Sequence, residues 1–61
     1  MDSFDIKRLG LIFAIEAEIE GMKAENKQRE INGHDLTYDE FNFYEKAGQI
    51  REICYKHNDQ L

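Results

Sequence analysis

Asn26, Arg29, His34, Tyr38 and Asn42 are the side chains whose types and spacing best suit chemistry. Gathered at one end of a helical hairpin, they would hold an anion, a nucleotide base or a partner's carboxylate. Arg29 would serve as the bidentate donor and Tyr38 as the stacking surface. The competing account is a solvated hairpin end in which Arg29 pairs with Asp39 or Glu40, because exposed ion pairs discriminate little between arrangements. Nothing in the set resembles a nucleophile beside its base. Cys54, with only His57 near it in sequence, reads as a small core hydrophobe. With no phosphate loop and no constellation of metal ligands either, the chain reads as non-enzymatic, with no cofactor and no metal site.

Three resemblances bear on that reading. The stretch Asp35-Leu-Thr-Tyr-Asp-Glu-Phe41 resembles the exit of an EF-hand calcium loop, with Leu36, Thr37 and Glu40 at loop positions eight, nine and twelve. The ligand positions before it are filled by Arg29, Ile31 and Gly33, with His34 at the glycine position, so the calcium chemistry is missing. A two-helix hairpin of this size also resembles the small bacterial aspartyl-phosphate phosphatases. Their Ser-Gln-Glu-Leu-Asp signature corresponds here to Ala47-Gly48-Gln49-Ile50-Arg51, which lacks the serine and the essential aspartate, so the likeness extends to shape alone. Finally, Gly21-Met-Lys-Ala-Glu-Asn-Lys-Gln-Arg29 and Gly33-His-Asp-Leu-Thr-Tyr-Asp-Glu-Phe41 resemble segments of small helical-hairpin proteins of bacteriophages and mobile elements. That resemblance implies an accessory protein acting on a host target, such as a component of a defence system.

The elements that would position these residues are two helices. Asp2 or Ser3 can cap a first helix over about residues 4–31, and Asp5 suits the positive end of its dipole. Asn32-Gly33 supplies the left-handed residue that ends it. A second helix over about 38–57 carries overlapping start signals. Thr37 and Glu40 form a capping box, and Leu36 with Phe41 a hydrophobic staple. Ile12, Ile15, Ile19 and Met22 recur at the spacing of a bundle seam, which Asn26 and Arg29 continue, while Leu9, Phe13, Ala17 and Ala24 mark a second stripe. On the second helix the seam runs through Phe43, Ala47, Ile50, then Ile53 or Cys54, and on to His57 and Leu61. Gly48, in the helix interior, suggests a close helix neighbour. Antiparallel pairing around a turn at 32–37 sets Ile31 near Tyr38, Ala24 near Glu45 and Ile12 near His57.

Composition bounds the partners. Thirteen Asp and Glu against eight Lys and Arg give a formal net charge of -5, which opposes binding to DNA or RNA. The apolar run Leu9 to Ile15 is closed by Glu16, Glu18 and Glu20, far short of the roughly 20 residues a membrane span needs. Lys7 and Arg8 precede that run as in a signal peptide, but Asp2 and Asp5 come before them and no small-residue cleavage site follows. With one unpaired cysteine, this points to the cytoplasm, that of the host for a phage-encoded protein. The Glu16, Glu18, Glu20 and Glu25 set reads as a solvated acidic face that can also imitate nucleic acid toward a basic host protein.

A chain of 61 residues forms a single domain, 1–61, and buries too little surface to fold comfortably without help. The expected fold is therefore all-α, a two-helix antiparallel hairpin assembling into a homo-oligomeric helical bundle, a dimer or larger. The association surface is expected over Leu9, Ile12, Phe13, Ile15, Ile19 and Met22 of the first helix and Phe43, Ala47, Ile50 and Cys54 of the second. The leading function is direct binding that inhibits a host protein. The alternatives are an oligomer that sequesters a nucleotide-like anion at the turn-end cluster, and a structural subunit of a larger assembly.

Overall fold

A computed structural model describes residues 2–61 and shows an all-α chain whose two helices pack against each other. Helix α1 spans Ser3–Ile31 and helix α2 spans Glu40–Tyr55; a short 3-10 turn follows at Asn58–Gln60. The molecule is a thin slab of 47 × 18 × 12 Å, its long dimension set by the 29 residues of α1.

Both ends of α1 are closed as its residues suggest. Asp2 is the cap, its Oδ1 accepting the Asp5 amide at 2.8 Å. At the other end the Gly33 amide donates to the Glu30 carbonyl at 3.1 Å and the His34 amide to the Arg29 carbonyl at 2.9 Å. These two bonds form a Schellman motif, which requires a left-handed residue at Gly33, where φ is 72°.

Helix α2 starts differently from expectation. The cap is Asp39 rather than Thr37: its Oδ1 accepts the Asn42 amide at 3.1 Å, and Asn42 Oδ1 accepts the Asp39 amide at 2.9 Å. This is a capping box, two residues later than the Thr37/Glu40 register. Leu36 and Phe41 are 57% and 68% exposed, so the staple predicted between them does not bury either. The physical reason lies on the other helix. The Asn26 carboxamide donates from Nδ2 to the Tyr38 carbonyl at 2.9 Å and accepts the Tyr38 amide at Oδ1 at 3.0 Å. A helix starting at Tyr38 would need that carbonyl for its own ladder. The clasp commits it to α1, so helix formation waits for Asp39, which caps at least as well as threonine.

The same clasp sets the register. Asn26, not Ile31, lies opposite Tyr38, a shift of more than one helical turn from the expected pairing. The shift persists along the slab. Lys46 of α2 reaches Glu18, and Arg8 reaches the Lys56 carbonyl. Helix α2 ends at Tyr55, short of the expected 57, because the chain turns extended at Lys56 and His57. There the Arg8 guanidinium holds the Lys56 carbonyl and Asn58 Oδ1, both at 2.6 Å, while Lys7 donates to the Leu61 carbonyl. His57 is therefore exposed and lies outside the helical seam, whereas Leu61 turns back and is half-buried.

The core is small. Ile15 and Met22 are the buried apolar side chains, and Ile12, Ile19, Phe43, Ala47, Ile50 and Ile53 are half-buried around them. Of the two residues proposed for the fourth seam position of α2, Ile53 faces inward. Cys54 is exposed, which corrects the reading of it as a core hydrophobe. Gly48 has no close helix neighbour within the hairpin, since a Cβ there would meet only the Arg51 guanidinium, at 3.9 Å.

Asn26→Ala leaves the Tyr38 amide and carbonyl without partners and is expected to destabilise the hairpin by about 1–3 kcal/mol in urea unfolding. Asn26→Asp, which can accept but not donate, should fall on the same side, because its carboxylate meets the Tyr38 carbonyl. Wild-type stability in both variants would mean the clasp does not hold the register. Gly33→Ala, at a site with nothing within 4 Å of the added carbon, should cost about 1 kcal/mol from backbone conformation alone.

Candidate functional site

The turn end brings the five expected residues into one region but does not leave them free to bind. Asn26 spends its whole carboxamide on Tyr38, and Asn42 spends its carboxamide oxygen on Asp39. Arg29 pairs with Glu25 one turn back on α1, at 3.9 Å, instead of with Asp39 or Glu40. His34 is exposed and contributes its backbone amide to the end of α1. Tyr38 is half-buried in the extended residue before α2. The five therefore divide into two amides that build the turn, a tyrosine held by one of them, and the exposed Arg29 and His34.

Beside the clasp lies an open groove of about 450 Å³ between the helices. Met22 and Tyr38 supply its apolar lining, Glu18, Glu25 and Glu45 its carboxylates, and Lys46 its one ammonium, which is paired with Glu18. Three carboxylates against one engaged cation make this groove hostile to a nucleotide or other anion. Its chemistry favours an apolar or cationic group. The acidic face is partly neutralised in the same way, with Lys23 on Glu20 at 3.0 Å and Lys46 on Glu18, so these charges serve local helix and interhelix pairs.

Of the expected association surface, Ile12, Ile15, Ile19 and Met22 of α1, with Phe43, Ala47 and Ile50 of α2, are partly or wholly covered inside the hairpin. Leu9, Phe13 and Cys54 remain exposed. Two features were not anticipated. Arg8 continues the Ile12-Ile15-Ile19-Met22-Asn26 spacing toward the N-terminus, and that continuation was the available signal for its clamp on the chain end. The other is a ridge on the side of α2 turned away from α1. Phe41, Tyr44, Gly48, Arg51 and Tyr55 recur at three-four spacing, with Phe41, Tyr44 and Tyr55 exposed by 68%, 63% and 87%. The Phe41 and Tyr44 rings stand edge to face, 6.1 Å between centroids and 86° between planes. Such a pair presents a broad apolar surface at little cost in side-chain freedom.

The exposed thiol of Cys54 should react with a thiol reagent in the folded hairpin at a rate close to that of the denatured chain. Strong protection in the native protein would place Cys54 inside an interface between chains.

Among the described residues there is no group of three or more His, Cys, Asp and Glu placed to hold a metal ion, and no helix is long and apolar enough to cross a membrane. No family model, curated protein or solved structure matches the chain.

Proposed function

We propose that this is a small non-enzymatic binding protein that acts by direct association with another protein through its exposed aromatic surface. One observation carries the reading. Among the described residues, ten large hydrophobic side chains are exposed while two are buried, so the chain offers a large apolar surface for contact with another molecule. The ridge on α2 is the part best suited to a protein partner, because it joins Tyr, Phe and Arg, residue types that dominate interface hot spots. The net charge of -5 favours a partner with a basic surface. The resemblance to bacteriophage and mobile-element proteins supplies the setting, inhibition of a host protein in the host cytoplasm. The small buried core supports a homo-oligomeric working form, in which other copies complete the bundle.

The sequestering alternative is less well supported, since the two amides are engaged, Arg29 is paired and the adjoining groove is acidic. A purely structural subunit accounts for the exposed surface but gives no reason for an aromatic ridge with an arginine.

Tyr44→Ala with Tyr55→Ala removes two exposed rings without touching the interhelix seam and should leave helicity unchanged. Affinity capture from host cells should retain a protein on the wild type, and its Kd should weaken at least tenfold on the double variant. Equal retention by both would remove the ridge from the function. A small molecule released when the purified protein is denatured in a mass spectrometer would instead establish the sequestering role.

A further inference from the structure

We infer that the outward face of α1 is a self-association surface on which a second copy of the chain lays its own α1 antiparallel, with the two-fold axis at Ala17. This rests on the reading that the working form is homo-oligomeric and adds which face makes the contact.

The face is uncharged for the length of the helix. Ile6, Gly10, Phe13, Ala17, Ala24 and Ile31 lie on the side of α1 opposite the seam of Ile12, Ile15, Ile19 and Met22, and Gly21 lies at the edge of that face, where it also lines the groove between the helices. Ile6, Phe13 and Ile31 are exposed by 59%, 59% and 66%. The glycines are not explained by the hairpin, because a Cβ at Gly10 or Gly21 would meet nothing within 4 Å. Each costs about 1 kcal/mol relative to alanine in a helix interior, and a second helix approaching closely offsets that cost.

The exposed area leaves room for one contact of ordinary size with a second copy. The chain exposes 4786 Å² for a mass of 7.2 kDa, whereas a compact monomer of that mass exposes about 4100 Å². The excess, about 700 Å², approaches the roughly 800 Å² that each partner buries in a standard interface. One contact per chain brings the exposed area to that of an ordinary folded protein.

The pattern of bulk selects the antiparallel arrangement. About an axis at Ala17, Phe13 lies against Gly21 of the second copy and Gly10 against Ala24 of the second copy, so a ring or a bare backbone meets a small residue. A parallel pairing in register would set ring on ring.

Analytical ultracentrifugation of the full chain, combined with cysteine cross-linking in a Cys54→Ser background, tests this. The chain is expected to sediment at twice its mass at micromolar concentrations. Ala17→Cys should then give a disulfide-linked dimer under mild oxidation, whereas Gly10→Cys should not, its two copies being about 20 Å apart along the paired helices. Ala17→Glu should shift the protein to the mass of a single chain, and the cross-linking result stands even where that variant unfolds. A wild type that sediments as a monomer overturns both the oligomeric reading and this interface. An oligomer in which Ala17→Cys fails to cross-link overturns this face alone, and efficient cross-linking at Gly10→Cys overturns the antiparallel arrangement.

Discussion

The carboxamide of Asn26 governs more of this structure than any apolar contact does. Its two hydrogen bonds to the backbone of Tyr38 satisfy an amide and a carbonyl in the turn, where no regular ladder reaches them. In doing so they determine where α2 begins, which residues of the two helices face each other, and where the acidic groove opens. A methylene seam can slide by a turn at modest cost, because one aliphatic contact resembles the next. A donor and an acceptor that must meet a carbonyl and an amide admit one register. At the far end of the slab, Arg8 does the same for the Lys56 carbonyl and Asn58, so the hairpin is pinned by polar bonds at both ends of its seam.

That division between polar pinning and apolar filling also explains what was legible in the residues. The first helix was readable end to end, since Asp2, Asp5 and Gly33 act locally and in one direction only. The start of the second was not. Thr37 with Glu40 and Asp39 with Asn42 are both good capping boxes, and local chemistry barely separates them. The decision came from Asn26, which stands twelve positions before Tyr38 and reads in isolation as a polar interruption of a seam. The error in register followed from the same omission. Cys54 and Ile53 were likewise adjacent candidates for one inward position, resolved only once the register was known.

The candidate site followed a similar course. Of the turn-end residues, Asn26 and Asn42 are engaged with the backbone of Tyr38 and Asp39, and Arg29 pairs with Glu25. Amides are the residues most readily misread this way, because the capacity that would let Asn26 or Asn42 recognise a ligand is the same capacity that closes a turn or caps a helix. Arg29 could pair with Glu25 on its own helix before reaching the second, an option that spacing alone makes available at i and i+4.

The two outward faces of the hairpin differ in a way that fits two kinds of contact. On α1 the outward strip is long and rich in glycine and alanine, so it offers backbone proximity and little chemical identity; such surfaces suit packing against an identical helix. On α2 the outward strip is short, carries aromatic rings and an arginine, and offers shape and polar handles that discriminate among partners. A slab two helices thick has no interior to spare for a pocket of its own. The proposed association through one face would supply further core while leaving the other free, and a dimer joined along α1 would display two copies of the aromatic ridge on opposite sides. Two weak contacts presented together bind a repeated or dimeric target far more tightly than either does alone. For a chain this short, the proposed self-association would add valence as well as stability.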